Sequence, residues 1–97
     1  MLHRGEVWRI RGARDRLGLV ISSDLYNSTD VPIVIVAEVV EAELLRDSPL
    51  AVPMGDYVIM PDRLFSPMKR WFVERVDVAD TDTMVQVSRA LRILQQL

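Results

Sequence analysis

The sequence predicts a small, mostly-β domain with helices, and two patterns carry this prediction. Two short apolar runs rich in β-branched residues, at residues 17–22 and 32–37, are typical of central strands. Near the carboxyl end the apolar residues recur three and four positions apart, at Met84, Val87, Leu91 and Leu94, which is the period of one helix face. A chain of 97 residues has room for a single domain, over residues 1–97.

The amino-terminal elements follow from alternation and turn signals. Polar and apolar side chains alternate over residues 6–11, which predicts the first strand. Val7 and Trp8 are adjacent, so only one of them can face the core, and Trp8 covers an edge or contacts another chain. Residues 12–15 are expected to form a loop. The strands at 17–22 and 32–37 are joined by a polar connection over residues 23–30 that favours turns.

A hairpin and a last strand complete the predicted sheet. Further strands are predicted at residues 51–53, 57–60 and 72–78. Gly55 and Asp56 stand between the first two of these and are typical of a hairpin turn. Ahead of the hairpin, residues 40–45 favour a short helix and residues 47–49 a turn. The N-cap of the closing helix is expected at Asp80, Thr81 or Asp82.

Composition restricts the class of protein. Cysteine is absent, which excludes a disulfide framework and a thiolate zinc site. The amino terminus lacks the apolar stretch of a signal peptide, and no segment approaches the roughly 20 apolar residues of a membrane helix. We therefore expect a protein of the reducing cytoplasm that does not enter a membrane. A core of this size leaves apolar surface uncovered, which favours a homodimer.

Charge is distributed unevenly along the chain, although the net charge is only −2. Residues 1–16 contain five arginines and two acids, for a local charge of +3, whereas residues 24–50 contain six acids and one arginine, for −5. A solvated, charged hairpin without a partner explains the basic end as well as a nucleic-acid surface does.

Cofactor chemistry has no support in the sequence. A Gly-rich phosphate loop, a paired-histidine metal motif and a Gly-x-Ser-x-Gly elbow are all missing. His3 is the single histidine, and Glu41 and Glu43 are two positions apart, so they would not share a helix face. We expect no cofactor and no metal site.

Two motifs near the amino end stand out: Arg4-Gly5-Glu6-Val7-Trp8, which opens a strand, and Arg16 ahead of Leu19-Val20-Ile21-Ser22-Ser23-Asp24 and Asn27. Together they resemble the amino half of MazF/PemK toxins. Residues 57–62 and 83–94 are similar to the later strand and the closing helix of that family. The resemblance implies an SH3-like small barrel of antiparallel strands with a C-terminal helix, and a homodimer. It also implies a metal-independent endoribonuclease for single-stranded RNA, inhibited by a cognate antitoxin peptide.

The resemblance also implies roles for particular residues. Arg16 would be catalytic, stabilising charge on the phosphate and able to protonate the leaving oxygen while the RNA 2′-hydroxyl attacks to give a cyclic phosphate. Residues expected to bind the RNA are Arg9, Arg11, Arg14, Ser22 and Ser23. Residues expected to anchor the acidic antitoxin peptide are Trp8, Phe65 and Trp71, whereas Phe72 fits core packing better.

Two positions depart from the family pattern. The family places a catalytic threonine after its third strand, and the matching residue here is Glu38, Val39 or Val40. A valine cannot hydrogen-bond a phosphate, so a hydroxyl from Ser22 or Ser23 is a substitute by hypothesis. Phe65 stands where an arginine is usual after Asp62.

Two other functions are compatible with the same fold. CcdB-like toxins bind DNA gyrase without catalysis, but their Trp-Gly-Ile terminus differs from Gln95-Gln96-Leu97 in this chain. The third candidate is a catalytically degenerate homologue that only binds an antitoxin. The absent threonine favours both non-enzymatic alternatives, while Arg16 favours the ribonuclease.

Overall fold

The computed structural model describes residues 1–42 and 49–96 of the chain. Within these ranges the strands are β1 (Glu6–Ile10), β2 (Arg16–Val20), β3 (Val36–Glu41), β4 (Val52–Met54), β5 (Tyr57–Phe65) and β6 (Phe72–Val78). The helices are α1 (Asp24–Asn27), a 3₁₀ helix (Lys69–Trp71) and α2 (Thr81–Gln95). In this part of the chain no helix has both the length and the apolar character needed to cross a membrane.

The six strands form one antiparallel sheet in the order β4-β5-β3-β2-β1-β6. The sheet curls on itself. The Arg11 N–H, just after β1, donates to the Trp71 carbonyl oxygen at 2.8 Å, so the end of β1 meets the 3₁₀ helix that follows β5. The result is a curled half-barrel with a C-terminal helix, which confirms the predicted mostly-β fold with helices.

The sheet has apolar side chains on both faces, as alternation along its strands requires. One face packs with α2. Its buried cluster comprises Val7, Leu19, Ala37, Val39, Val52, Ile59, Ala79 and Val87. The other face lines the inside of the curl, where Ile10, Val20, Val34 and Val36 pack with the partly buried Trp8, Phe65 and Phe72. The candidate functional site lies at the rim of this inner cluster.

Most of the predicted elements in the described residues are confirmed. The last strand spans Phe72–Val78 as expected, and Gly55 turns the β4–β5 hairpin with a φ of 58°, a conformation that glycine adopts without steric cost. Asp80 is the N-cap of α2, because its Oδ1 accepts a hydrogen bond from the Thr83 N–H at 2.8 Å. The apolar spacing correctly predicted that helix.

The segment between β2 and β3 differs from the prediction. Residues 23–30 contain α1, which Ser23 caps, rather than turns alone. The strand predicted over 32–37 joins the β2–β3 ladder only at Val36, because Pro32 has no N–H and the Ile35 N–H donates to the Ser22 hydroxyl at 3.2 Å.

The prediction of a short helix over residues 40–45 is wrong for its first two residues. Val40 and Glu41 are the last residues of β3, where they pair with Val58 and Tyr57 of β5. Cross-strand pairing in a curled sheet outweighs the weak local preference for helix. Residues 43–45, and residues 47 and 48 of the predicted turn, lie outside the described residues.

Glu6 is a buried acid, with 7% of its surface exposed. Because it is buried and ionised, we expect the stability of the protein to depend on pH. Burial raises its pKa, but hydrogen bonds from the His3 N–H, the Trp8 indole and Arg75 outweigh burial and leave the pKa below its ordinary value. A lowered folded-state pKa stabilises the protein above the unfolded-state pKa, and this contribution is lost as the pH falls through the lowered pKa.

Glu6→Gln should therefore lower the free energy of unfolding at pH 7 and flatten its decline as the pH falls below about 4. Urea unfolding at a series of pH values measures both effects. Asp30→Asn, at an exposed position, is the control. Identical pH profiles for wild type and Glu6→Gln would contradict this role of the Glu6 carboxylate.

Candidate functional site

Arg16 begins β2 at the rim of the curl and is held by two contacts. Its guanidinium carbon lies 3.8 Å from the centroid of the Phe65 ring, a distance at which a cation is attracted to an aromatic face. Its Nη2 donates to Glu38 Oε2 at 3.1 Å. The side chain is 45% exposed. Phe65 and Glu38 thus fix the guanidinium while leaving N–H donors free to bind an anion.

Glu38 connects Arg16 to a second arginine. Its other carboxylate oxygen, Oε1, accepts a hydrogen bond from Arg63 Nη1 at 3.2 Å. A bulge brings Arg63 to this position: Ala37 pairs with Leu64 but Glu38 pairs with Met60, so residues 61–63 are inserted in β5 opposite β3. Bulges commonly redirect a side chain beside an active site. Two guanidinium groups around one carboxylate leave an excess of positive charge.

A groove of about 440 Å³ opens beside Arg16, between the β1–β2 loop, the end of β5 and the 3₁₀ helix. Its charged wall is formed by Arg11, Arg14 and Arg16, and its apolar lining includes Phe65 and Trp71. Trp71 is 41% exposed. Cationic walls beside aromatic faces are the combination that binds single-stranded nucleic acid, through phosphates and stacked bases.

The structure brings some predicted site residues together and separates others. Arg11, Arg14, Arg16, Phe65 and Trp71 all line the groove.

Arg9 and Trp8 are not part of the groove lining. Arg9 Nη1 donates to Asp15 at 3.0 Å and its Nε donates to Glu74 at 3.1 Å. Trp8 packs edge-on against Phe72 with ring centroids 6.2 Å apart, and its indole N–H donates to Glu6. Both side chains are engaged within the fold.

The two serines lie beyond the far end of β2 from Arg16. Ser22 is 9% exposed; its hydroxyl donates to Asn27 Oδ1 at 2.6 Å and accepts from the Ile35 N–H. Ser23 Oγ caps α1 by accepting from the Tyr26 N–H at 3.1 Å. These contacts are structural, and the geometry does not place either hydroxyl beside Arg16.

Ser22→Ala tests the structural role of this hydroxyl. Removing the hydroxyl leaves buried groups of Asn27 and Ile35 without their partner, so we expect a loss of about 1–3 kcal/mol in the free energy of unfolding. Urea unfolding of wild type and Ser22→Ala measures this loss, and an unchanged free energy of unfolding would contradict the structural role.

Glu38, Arg63 and Ser66 belong to the candidate site, although no role was predicted for them from the sequence. Of the three positions that could replace the family threonine, Val39 is buried in the cluster that packs with α2, whereas Glu38 contacts Arg16. The sequence did contain a signal for Glu38: it is a single acid in an apolar run, between Ala37 and Val39. A charged side chain in the interior of a strand requires a partner. Ser66 also lines the groove.

Comparisons with known proteins identify the family of this chain. Residues 3–95 match the family model of PemK-like, MazF-like toxins of type II toxin–antitoxin systems. A search of curated proteins finds no significant match.

Solved structures share the fold at low sequence identity. A mycobacterial endoribonuclease in complex with its cognate antitoxin superposes with a TM-score of 0.89 at 20% identity, covering 100% of this chain and 97% of the other. The Mycobacterium tuberculosis toxin MazF-mt6 gives 0.82 at 12% identity, with coverage of 95% and 97%. MazF of the Deinococcus radiodurans MazE–MazF complex gives 0.80 at 22% identity, with coverage of 99% and 96%. The family match spans nearly the whole chain, and the chain therefore belongs to the PemK-like, MazF-like toxins of type II toxin–antitoxin systems.

Proposed function

We propose that this protein is a toxin that acts in the cytoplasm as a metal-independent endoribonuclease on single-stranded RNA. The observation that carries the proposal is Arg16, fixed by Phe65 and Glu38 at the edge of a groove with two further arginines. A guanidinium is permanently charged and presents a fork of donors that matches a phosphate. The family match and the endoribonuclease relatives support the same reaction.

The groove suits a single strand of RNA. Arg11 and Arg14 would neutralise backbone phosphates, which provides affinity that is largely independent of sequence. Trp71 offers an exposed aromatic face on which a base can stack, a contact worth about 1–3 kcal/mol. With the scissile phosphate against Arg16, the 2′-oxygen attacks phosphorus, the bond to the 5′-oxygen breaks, and Arg16 stabilises the charge that develops on the phosphoryl oxygens.

The same groove would bind the antitoxin. An acidic, initially disordered peptide with apolar residues complements arginine walls and the faces of Phe65 and Trp71. The solved relatives in complex with antitoxins support an antitoxin partner. Inhibition then follows because peptide and RNA compete for the same arginines.

A homodimer is the proposed assembly. β6 lies at one edge of the sheet, and its side chains at Val73, Val76 and Val78 are between 39% and 56% exposed. Exposed apolar side chains on an edge strand favour association with a second copy. Sedimentation at micromolar concentration distinguishes dimer from monomer.

The test of the proposed function is incubation of the purified protein with a long, mixed-sequence RNA in EDTA. We expect discrete fragments with 2′,3′-cyclic phosphate and 5′-hydroxyl ends, because the 2′-oxygen is the attacking group. RNA that stays intact over a wide range of protein concentration would overturn the proposal.

A further inference from the structure

We propose that Glu38 is a second catalytic residue, the general base that removes the proton from the attacking 2′-hydroxyl. This inference rests on the proposed ribonuclease function and adds a residue and a proton acceptor to it. The observations that carry it are the position of the carboxylate between two arginines at the reaction site, its accessibility, and the bulge that builds this arrangement.

The position of Glu38 follows from strand register. Glu38 is opposite Gly18 of β2, two residues from Arg16, and neighbours on one face of a pair of strands alternate by two. Its carboxylate therefore reaches Arg16 diagonally, at 3.1 Å, while its sequence neighbours Ala37 and Val39 are buried on the opposite face. A phosphate bound to Arg16 would lie beside this carboxylate.

The carboxylate also has capacity left for a substrate. Each oxygen accepts one hydrogen bond in the described part of the chain, from Arg16 and from Arg63, whereas a carboxylate oxygen can accept two. The side chain is 18% exposed, so solvent and an RNA hydroxyl can reach it. The two guanidinium groups hold both oxygens in place, and a base must be held within hydrogen-bond distance of its proton to be effective.

The surroundings of Arg16 offer few other proton acceptors. Its contacts and the groove lining, within the described residues, include this one carboxylate, one serine, Ser66, and no histidine. A hydroxyl is a poor base at neutral pH because it holds its own proton strongly. Asp15, next to Arg16 in sequence, pairs with Arg9 instead. Glu38 is therefore the group best suited to take a proton at this site.

The reaction step balances without a metal or a cofactor. Glu38 takes the 2′-hydroxyl proton as the 2′-oxygen forms its bond to phosphorus. The bond from phosphorus to the 5′-oxygen breaks, and the leaving 5′-oxygen takes a proton from water. Arg16 and Arg63 stabilise the phosphoryl charge and offset the repulsion between that charge and the carboxylate. The products are a 2′,3′-cyclic phosphate, a 5′-hydroxyl and a protonated Glu38 that returns its proton to solvent.

The decisive experiment compares single-turnover cleavage of one RNA oligonucleotide by wild type, Glu38→Gln, Glu38→Asp and Glu74→Gln. Glutamine keeps the shape of the side chain and an oxygen that accepts from Arg16, but it cannot take the proton. We expect Glu38→Gln to lower the rate by about 100-fold or more with little change in RNA affinity, and Glu38→Asp to restore part of the rate. Glu74→Gln makes the same substitution in a second arginine–glutamate pair, outside the groove, and this variant should cleave like wild type.

The pH dependence of cleavage provides a second arm, and its wild-type half does not depend on the folding of a variant. The rate of RNA cleavage by wild type should fall as the pH is lowered, because one group becomes protonated. The residual rate of Glu38→Gln should not show this fall. A folded Glu38→Gln protein that cleaves as fast as wild type, or a wild-type rate with no acid-side fall, would overturn the role of Glu38 while leaving the ribonuclease proposal intact. Wild type that cleaves no RNA would overturn both.

Discussion

Arg16→Ala should lower the rate of RNA cleavage by about 100- to 1,000-fold while the protein stays folded. The guanidinium is the permanently charged group fixed beside the groove by Phe65 and Glu38, and losing it removes the stabilisation of the phosphoryl charge in the transition state. The side chain is 45% exposed, so its removal should leave the core unchanged. Single-turnover cleavage at saturating protein measures the effect on the chemical step.

Two matched variants distinguish a specific role of Arg16 from an effect of general positive charge. Arg16→Lys keeps the charge but loses the planar fork and part of the stacking on Phe65, so it should recover only a small part of the rate. Arg9→Ala removes an arginine of the same basic segment that pairs with Asp15 and Glu74 and does not line the groove. It should cleave at nearly the wild-type rate. An equal loss in Arg9→Ala and Arg16→Ala would show that only general positive charge matters and would contradict the catalytic role of Arg16.

Leu19→Ala should lower the free energy of unfolding by about 3–5 kcal/mol. Leu19 is a fully buried residue of β2 and belongs to the cluster that contains Val87 of α2. Truncation removes apolar contacts and leaves a cavity between the sheet and the helix. Because a small domain is stable by only about 5–15 kcal/mol, much of the protein should unfold at moderate urea concentrations.

Leu25→Ala is the matched control for Leu19→Ala. Leu25 lies in α1 and is 80% exposed, so the same change in side chain should alter the free energy of unfolding by less than about 0.5 kcal/mol. Urea unfolding of both variants measures the difference. Similar losses at the two positions would contradict the burial of Leu19 in the cluster that includes Val87 of α2.

Local signals in the sequence predicted the carboxyl half of the fold well. The spacing of Met84, Val87, Leu91 and Leu94 and the capping side chain of Asp80 depend on neighbours within a few residues, and α2 forms as they indicate. The hairpin at Gly55 is a similar case. By contrast, α1 was not predicted, because its N-cap Ser23 stands in a stretch dense with turn-forming residues.

The candidate site was predicted only in part because its geometry depends on contacts between distant strands. Arg9 and Arg11 are equivalent in sequence, but pairing with β6 places Arg9 against Glu74 while Arg11 lines the groove. Arg63 reaches Glu38 through a register shift in β5 that no local pattern indicates.

The most direct test of the central claim, that the groove beside Arg16 is where RNA is bound and cleaved, is a titration of labelled protein with an RNA oligonucleotide. Substituting 2′-deoxynucleotides removes the attacking hydroxyl, so the oligonucleotide binds without being cleaved. We expect the largest amide chemical-shift changes at residues 11–16, at Phe65 and Ser66, and at Trp71, with binding weakened by added salt. Shift changes confined to α2 or to the β4–β5 hairpin, with none at the groove, would contradict the claim.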